Sequence, residues 1–259
     1  MKHTFKIFLS LFLISTFTFA QKTIEASDIM SDIKNGKSIS YKNAIIVGVL
    51  DFTFMEKALE KLPKKKKSSW WSNGNSSNTI EKLIEVQISF INCTFKDDVL
   101  AYIPDEDSGY TFTASFEDIA IFKNCNFKGK SMFKYSHFEL DADFSNSTFD
   151  DDTTFKYAKF DKKISFSKTK FTESATFKYA KFIKNVSFSD AVFEDSATFK
   201  YAKFNNGVSF KNTNFEEDLN IKYMNVNGDF NVTNMKVGYN IDSKYTKING
   251  KSFSKHLLN

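Results

Sequence analysis

The apolar positions follow a count that neither a helix nor a plain alternating strand would use. From residue 122 onward phenylalanine falls at 122, 127, 133, 138, 144, 149, 155, 160, 166, 171, 177, 182, 188, 193, 199, 204, 210 and 215, with gaps of five and six in strict alternation. Such steps scatter residues around a 3.6-residue turn, so no helical face forms. The period of 11 is nested in a longer one. TFKYAKF at 154–160 returns at 176–182 and 198–204, with degenerate copies at 132–138 (MFKYSHF) and 220–226 (NIKYMNV), so the unit is 22 residues. A coil with four short sides accommodates that count. Each side points one Phe inward, and one circuit climbs about 4.8 Å, the spacing between strands of a sheet. The residue two before each Phe shares its side of the strand. It is mostly small or aliphatic: Ala158, Ala180 and Ala202 in one column, Ala175 and Ala197 in another, Ile164, Val186 and Val208 in a third.

The A-x-F-x-x-A-x-F pattern at 175–182 and 197–204 resembles the pentapeptide-repeat family, whose units centre on Leu or Phe with a small residue two places earlier. The resemblance spans roughly 39–54 and 84–240. It implies an all-β fold, a right-handed quadrilateral β-helix of about 22 residues per coil, and the repeat count supports the same architecture independently. Alternate units depart from the family's regular form by carrying a sixth residue. Some members mimic DNA and block topoisomerases through a strongly negative face. The basic balance and export signal of this chain argue against that role.

Around the repeat, Lys2 and Lys6 precede an apolar run, Ile7 to Phe19, and Thr18-Phe19-Ala20 has small residues where a signal peptidase needs them. Residues 1–20 therefore read as a signal peptide cleaved after Ala20, with export to the periplasm or the medium. The mature chain has no further stretch able to span a membrane. Residues 21–38 are expected to hold an N-terminal capping helix (EASDIMSDIKN, stopped by Gly36). The solenoid is expected over 39–240, with insertions at 55–83 and 98–111, and residues 241–259 form a C-terminal cap or tail. The first insertion carries Lys64 to Lys67 and Trp70-Trp71, which suit an anionic membrane or cell-wall surface as well as a plain polar loop. The second reads as a hairpin turning at Asp105 to Gly109.

Composition narrows the function. The 31 Phe exceed what a varied closed core needs and match a repetitive one. All 36 basic residues are Lys, and the absence of Arg, the side chain that forks onto phosphate, argues against nucleic-acid partners. Removing the signal leaves 34 Lys against 31 acids. No His/Cys cluster has metal-ligand spacing, no glycine-rich phosphate loop or Gly-x-Ser-x-Gly elbow occurs, and no cofactor is implied. His137 replaces a column lysine and His256 lies in the tail. A non-catalytic scaffold is expected. The alternative is a polysaccharide-cleaving parallel β-helix enzyme, against which the strict Phe ladder and the lack of an acidic cleft stand.

Outward residues stack in the same way. Lysines recur at 134, 156, 178, 200 and 222, tyrosines at 135, 157, 179, 201 and 223, and a second lysine column at 159, 181 and 203. The stripe Lys156, Tyr157, Lys159, Lys178, Tyr179, Lys181, Lys200, Tyr201 and Lys203 is a candidate for holding an anionic polysaccharide or a protein of the cell envelope, with sugar rings resting on Tyr faces. A solvated face is the plainer reading of such a charge run, and acids at Asp151, Glu173, Asp195 and Glu217 are placed to neutralise it. Cys93 and Cys125 each lie two before a Phe, one coil apart once the 98–111 insertion is allowed for. That spacing allows either a disulfide between rungs or two small buried residues.

Overall fold

The computed structural model describes residues 21–62 and 78–255. Strands of mostly two residues pair in parallel with their counterparts 22 positions on: Thr153 with Ala175, Lys159 with Lys181, Ile164 with Val186, Lys170 with Val192. They build four sheets of eight, ten, eight and nine strands, which are the first, second, third and fourth faces met along a coil that starts at Thr153. The protein is a four-sided β-solenoid.

The interior explains the phenylalanines. Every Phe from 122 to 215 is buried, none more than 3% exposed. Within a column the rings stack nearly parallel, as in Phe155–Phe177 at 5.2 Å and Phe171–Phe193 at 4.7 Å. The first and third faces oppose each other, and their rings meet edge to face: Phe155–Phe166 at 5.1 Å, Phe177–Phe188 at 5.2 Å. Both geometries suit the aromatic quadrupole. One side-chain shape can thus fill a whole interior.

The alternation of five and six comes from the corners. Phe155 to Phe160 and Phe166 to Phe171 turn through a single left-handed residue, Tyr157 (φ 61°) and Lys168 (φ 57°). The other two corners, at 161–163 and 172–174, bend more widely and hold the sixth residue. Hydroxyls lock the coils at a buried position. Ser147 and Thr169 donate to the carbonyls of Phe122 (2.6 Å) and Phe144 (3.0 Å), each 25 residues back.

The ends depart from expectation. The solenoid begins before residue 39, because Lys22–Glu25 already pairs with Ala44–Val47 on the fourth face. Only then does helix α1 (Ala26–Lys34) lay Ala26, Ile29 and Ile33 on the core; it ends at Asn35 and Gly36 (φ 72°). The solenoid also continues past 240: Ile241–Asp242 and Lys247–Ile248 are still rung strands. Lys251–Ser252 then folds back antiparallel, and buried Phe253 packs on Phe230 at 6.0 Å.

The second insertion is narrower than 98–111. Val99–Leu100 pairs with Ser131–Met132, so these residues belong to a coil. The hairpin itself joins Tyr102–Asp105 to Tyr110–Phe116. The first insertion opens at left-handed Phe54 (φ 53°), continues in helix α2 (Met55–Leu59), and returns as Thr79–Ile84 alongside Tyr110–Phe116. The two insertions thus join in one extension of the second face. Residues 1–20, read above as a signal peptide, Lys64–Lys67, Trp70-Trp71 and His256 lie outside the described residues.

Candidate interaction surface

Between the first and second faces runs a corner made of Lys-Tyr pairs. Tyr135, Tyr157, Tyr179, Tyr201, Tyr223 and Tyr245 occupy it on successive rungs, all with φ between 60° and 65°. A bulky left-handed residue costs about 1–2 kcal/mol. The corner 11 residues further along shows what an unstrained choice looks like. There Asn43, Asn92, Asn124, Asn146, Asn212 and Asn234 take the left-handed conformation that Asn tolerates. Their amides bond up the column, Asn124 to Asn92 at 2.7 Å and Asn234 to Asn212 at 3.0 Å.

What offsets the strain on the tyrosine side is the stack. Successive rings lie 4.9, 4.6, 4.7, 4.6 and 4.8 Å apart from Tyr135 to Tyr245, with interplanar angles from 1° to 22°. An aromatic pair contributes about 0.5–1.5 kcal/mol, so each added rung nearly cancels its own left-handed cost. Packing between Tyr179 and Tyr223 also pushes the Tyr201 phenol above its ordinary range, through desolvation first and those neighbours second.

This geometry corrects the expectation that sugars rest on Tyr faces. Each interior ring is covered on both faces by its neighbours, leaving its edge and hydroxyl to solvent. The accessible charge is the lysines'. Lys156, Lys178, Lys200, Lys222 and Lys244 hold their ammonium groups 5.0–5.9 Å from the centroid of the following tyrosine. Lys134 reaches back to Tyr102, 4.3 Å from its ring and 2.8 Å from its hydroxyl. Lys159, Lys181 and Lys203 project from the adjoining second face, the latter two exposed.

Among the described residues no ion pair joins Asp151, Glu173, Asp195 or Glu217 to the Lys134–Lys244 column. Lys156 instead sits below its ordinary value, from partial burial first and then from Lys134 and Lys178 on either side. The exception on the second face is Lys159, 2.9 Å from Asp161, whose other oxygen meets His137 Nε2 at 2.8 Å. Burial pushes the Asp161 carboxyl up, and the hydrogen bonds from Lys159 and His137 outweigh it, leaving the group below its usual range.

Cys93 and Cys125 stack on neighbouring rungs of the fourth-face column, both buried and both thiols in the structure. Each sulfur lies at the carbonyl that Ser147 and Thr169 serve elsewhere: Cys125 Sγ is 3.4 Å from Phe90 O, and Cys93 Sγ is 3.6 Å from Tyr41 O. The cysteines therefore fill a donor position in the core. Contact with Cys93, reinforced by burial, pushes the Cys125 thiol up.

Sequence reasoning missed Lys244, Tyr245 and Tyr102 as members of the corner. The first two lie 22 after Lys222 and Tyr223, where the fading of the Phe register hid the continued count. Tyr102 joins from the hairpin, 5.9 Å from Tyr135, which no count along the coils reveals.

The fold and its surface define a class: a repeat solenoid with a closed aromatic interior, presenting ordered columns of side chains. A family model of pentapeptide repeats, built of nine copies, matches residues 112–159 and 155–203, the most regular coils. Over these coils the chain is built of pentapeptide repeats. Comparison with curated proteins gives no match.

Proposed function

We propose that this protein is an exported, non-catalytic scaffold that captures an extended polyanion along its lysine–tyrosine corner. Pentapeptide-repeat proteins are in general non-enzymatic scaffolds, which favours binding over turnover. The observation that carries the reading is the lysine column, which makes no ion pair among the described residues and sets like charges one rung apart, with Lys156 held below its ordinary value by partial burial first and then by Lys134 and Lys178. A polyanion laid along the corner relieves that repulsion and releases counterions, as it does for other linear charge arrays. The stacked tyrosines make the corner stiff, so little ordering cost is left for binding. Export rests on the basic and apolar character of residues 1–20 and on Thr18-Phe19-Ala20.

The test is retention of polygalacturonate against neutral dextran at low and high salt. Polygalacturonate alone should bind, and salt should weaken it. Replacing Lys156, Lys178 and Lys200 together by Gln should abolish retention without unfolding the protein. Equal retention of both polymers, or an unaffected triple variant, would refute the proposal. Shortening of the polygalacturonate chains during incubation would instead identify a cleaving enzyme. For export, the N-terminus of protein recovered from outside the cytoplasm should be Gln21.

A further inference from the structure

The tyrosine column has a chemical consequence independent of polyanion binding. We propose that it is an oxidative modification site, at which one-electron oxidation couples tyrosines of successive rungs into dityrosine and staples coil to coil. The ring planes are within 1–22° of parallel, with centroids 4.6–4.9 Å apart from Tyr135 through Tyr245. The two ortho carbons of a phenol flank its long axis. Rotation about χ2, a soft torsion in tyrosine, turns neighbouring rings toward edge to edge, and a small inward lean of the two side chains then brings facing ortho carbons together. No diffusion is needed, because the left-handed corner fixes where every side chain starts. The phenols are reachable: Tyr135, Tyr157, Tyr223 and Tyr245 are 38–58% exposed.

The oxidant is hydrogen peroxide acting through a haem peroxidase. Each of two phenols loses one hydrogen atom, as an electron and a proton. The resulting phenoxyl radicals join ortho carbon to ortho carbon, and the hydrogen on each joined carbon migrates to its oxygen, restoring both aromatic rings. One peroxide takes up the two electrons and two protons and leaves as two waters. The buried phenylalanine columns stack in the same way yet have no O–H to oxidise. Tyr239, 68% exposed and outside the stack, reports on coupling between molecules.

The experiment compares two variants with equal numbers of tyrosines, each treated with peroxidase and peroxide at low protein concentration. In the first, Tyr135, Tyr179 and Tyr223 become Phe, leaving 157, 201 and 245 with no neighbour in the column. In the second, Tyr135, Tyr157 and Tyr245 become Phe, leaving 179, 201 and 223 consecutive. Phe stacks as Tyr does, so the corner survives in both. The wild type and the second variant should give dityrosine fluorescence on monomeric protein, the loss of two hydrogen atoms per link, and linked peptides 22 residues apart. In the first, monomer-borne signal should fall by about tenfold or more, since proximity is what drives the coupling. Equal signal from the two variants would overturn the proposal, and so would a wild-type product confined to covalent dimers.

Discussion

Replacing Phe177 by Ala tests the register at its centre. Phe177 is fully buried and stacks on Phe155 at 5.2 Å and Phe199 at 4.9 Å. It also meets Phe166, Phe171 and Phe188 edge to face at 5.3, 5.9 and 5.2 Å, so five rings border the space that truncation would leave. Backbone hydrogen bonds on the coils above and below, including Phe177 N to Thr198 O at 2.8 Å, hold those rings in place and prevent collapse. The loss therefore combines transfer and cavity costs, about 3–5 kcal/mol. Two controls bracket it. Lys178→Ala, one residue along but outward, should change stability by no more than about 0.5 kcal/mol. Phe230→Ala, half-buried on the last coils, should cost about 1–2 kcal/mol, roughly half of a full Phe burial. Urea unfolding followed by circular dichroism gives the three midpoints. Hydrogen exchange should place the loss of protection on the coils flanking Phe177, because a solenoid couples mainly to nearest neighbours. Equal midpoints for Phe177→Ala and Lys178→Ala would refute the inward register.

Four further outcomes are expected. Lys168→Asn should stabilise by about 1 kcal/mol, since it removes a left-handed lysine from a corner where Asn is unstrained; no gain in urea midpoint would remove the strain argument. Thr169→Val keeps the shape but orphans the Phe144 carbonyl and should cost about 1–3 kcal/mol by the same assay, a neutral result disproving the hydroxyl lock. Asp161→Asn should destabilise at neutral pH only. A depressed carboxylate contributes its stability above the unfolded value of about 3.9 and loses it as pH falls through its folded value. Melting curves of variant and wild type should therefore converge in acid, and a gap that persists there would contradict the Lys159 and His137 contacts. Thiol titration of denatured, unreduced protein should find both Cys93 and Cys125 free, and Cys125→Ser should fold normally because Ser147 already holds that position one rung on. A titre of zero would mean a disulfide in place of the two donors.

How much was legible in the sequence follows from what repeats. Spacing between phenylalanines reports inward position directly, since a period-2 strand leaves one inward slot per Phe and its small partner. The column partners 155–177–199 and 158–180–202 were therefore readable before any coordinates. The ends were not, because their packing is not periodic. Val232 and Val237 still mark the columns, but Ile248 lies where the register has faded, and Lys22–Glu25 is too short a strand to show alternation. The surface columns were legible as positions but not as geometry. A count of 22 places Tyr157 over Tyr179 and says nothing of ring orientation, so it left sugar stacking open until the covered faces closed it. The left-handed corners were half visible. Asn at 124, 146, 212 and 234 marks one of them, and tyrosine half a coil away conceals the other, since a large aromatic is the residue least expected there. That mismatch between residue and conformation is itself informative. Where two corners share one backbone and only one mostly uses the unstrained residue, the other must be held by what its side chains do for one another. At this corner that is the stack, and the experiments that break it one tyrosine at a time will measure it.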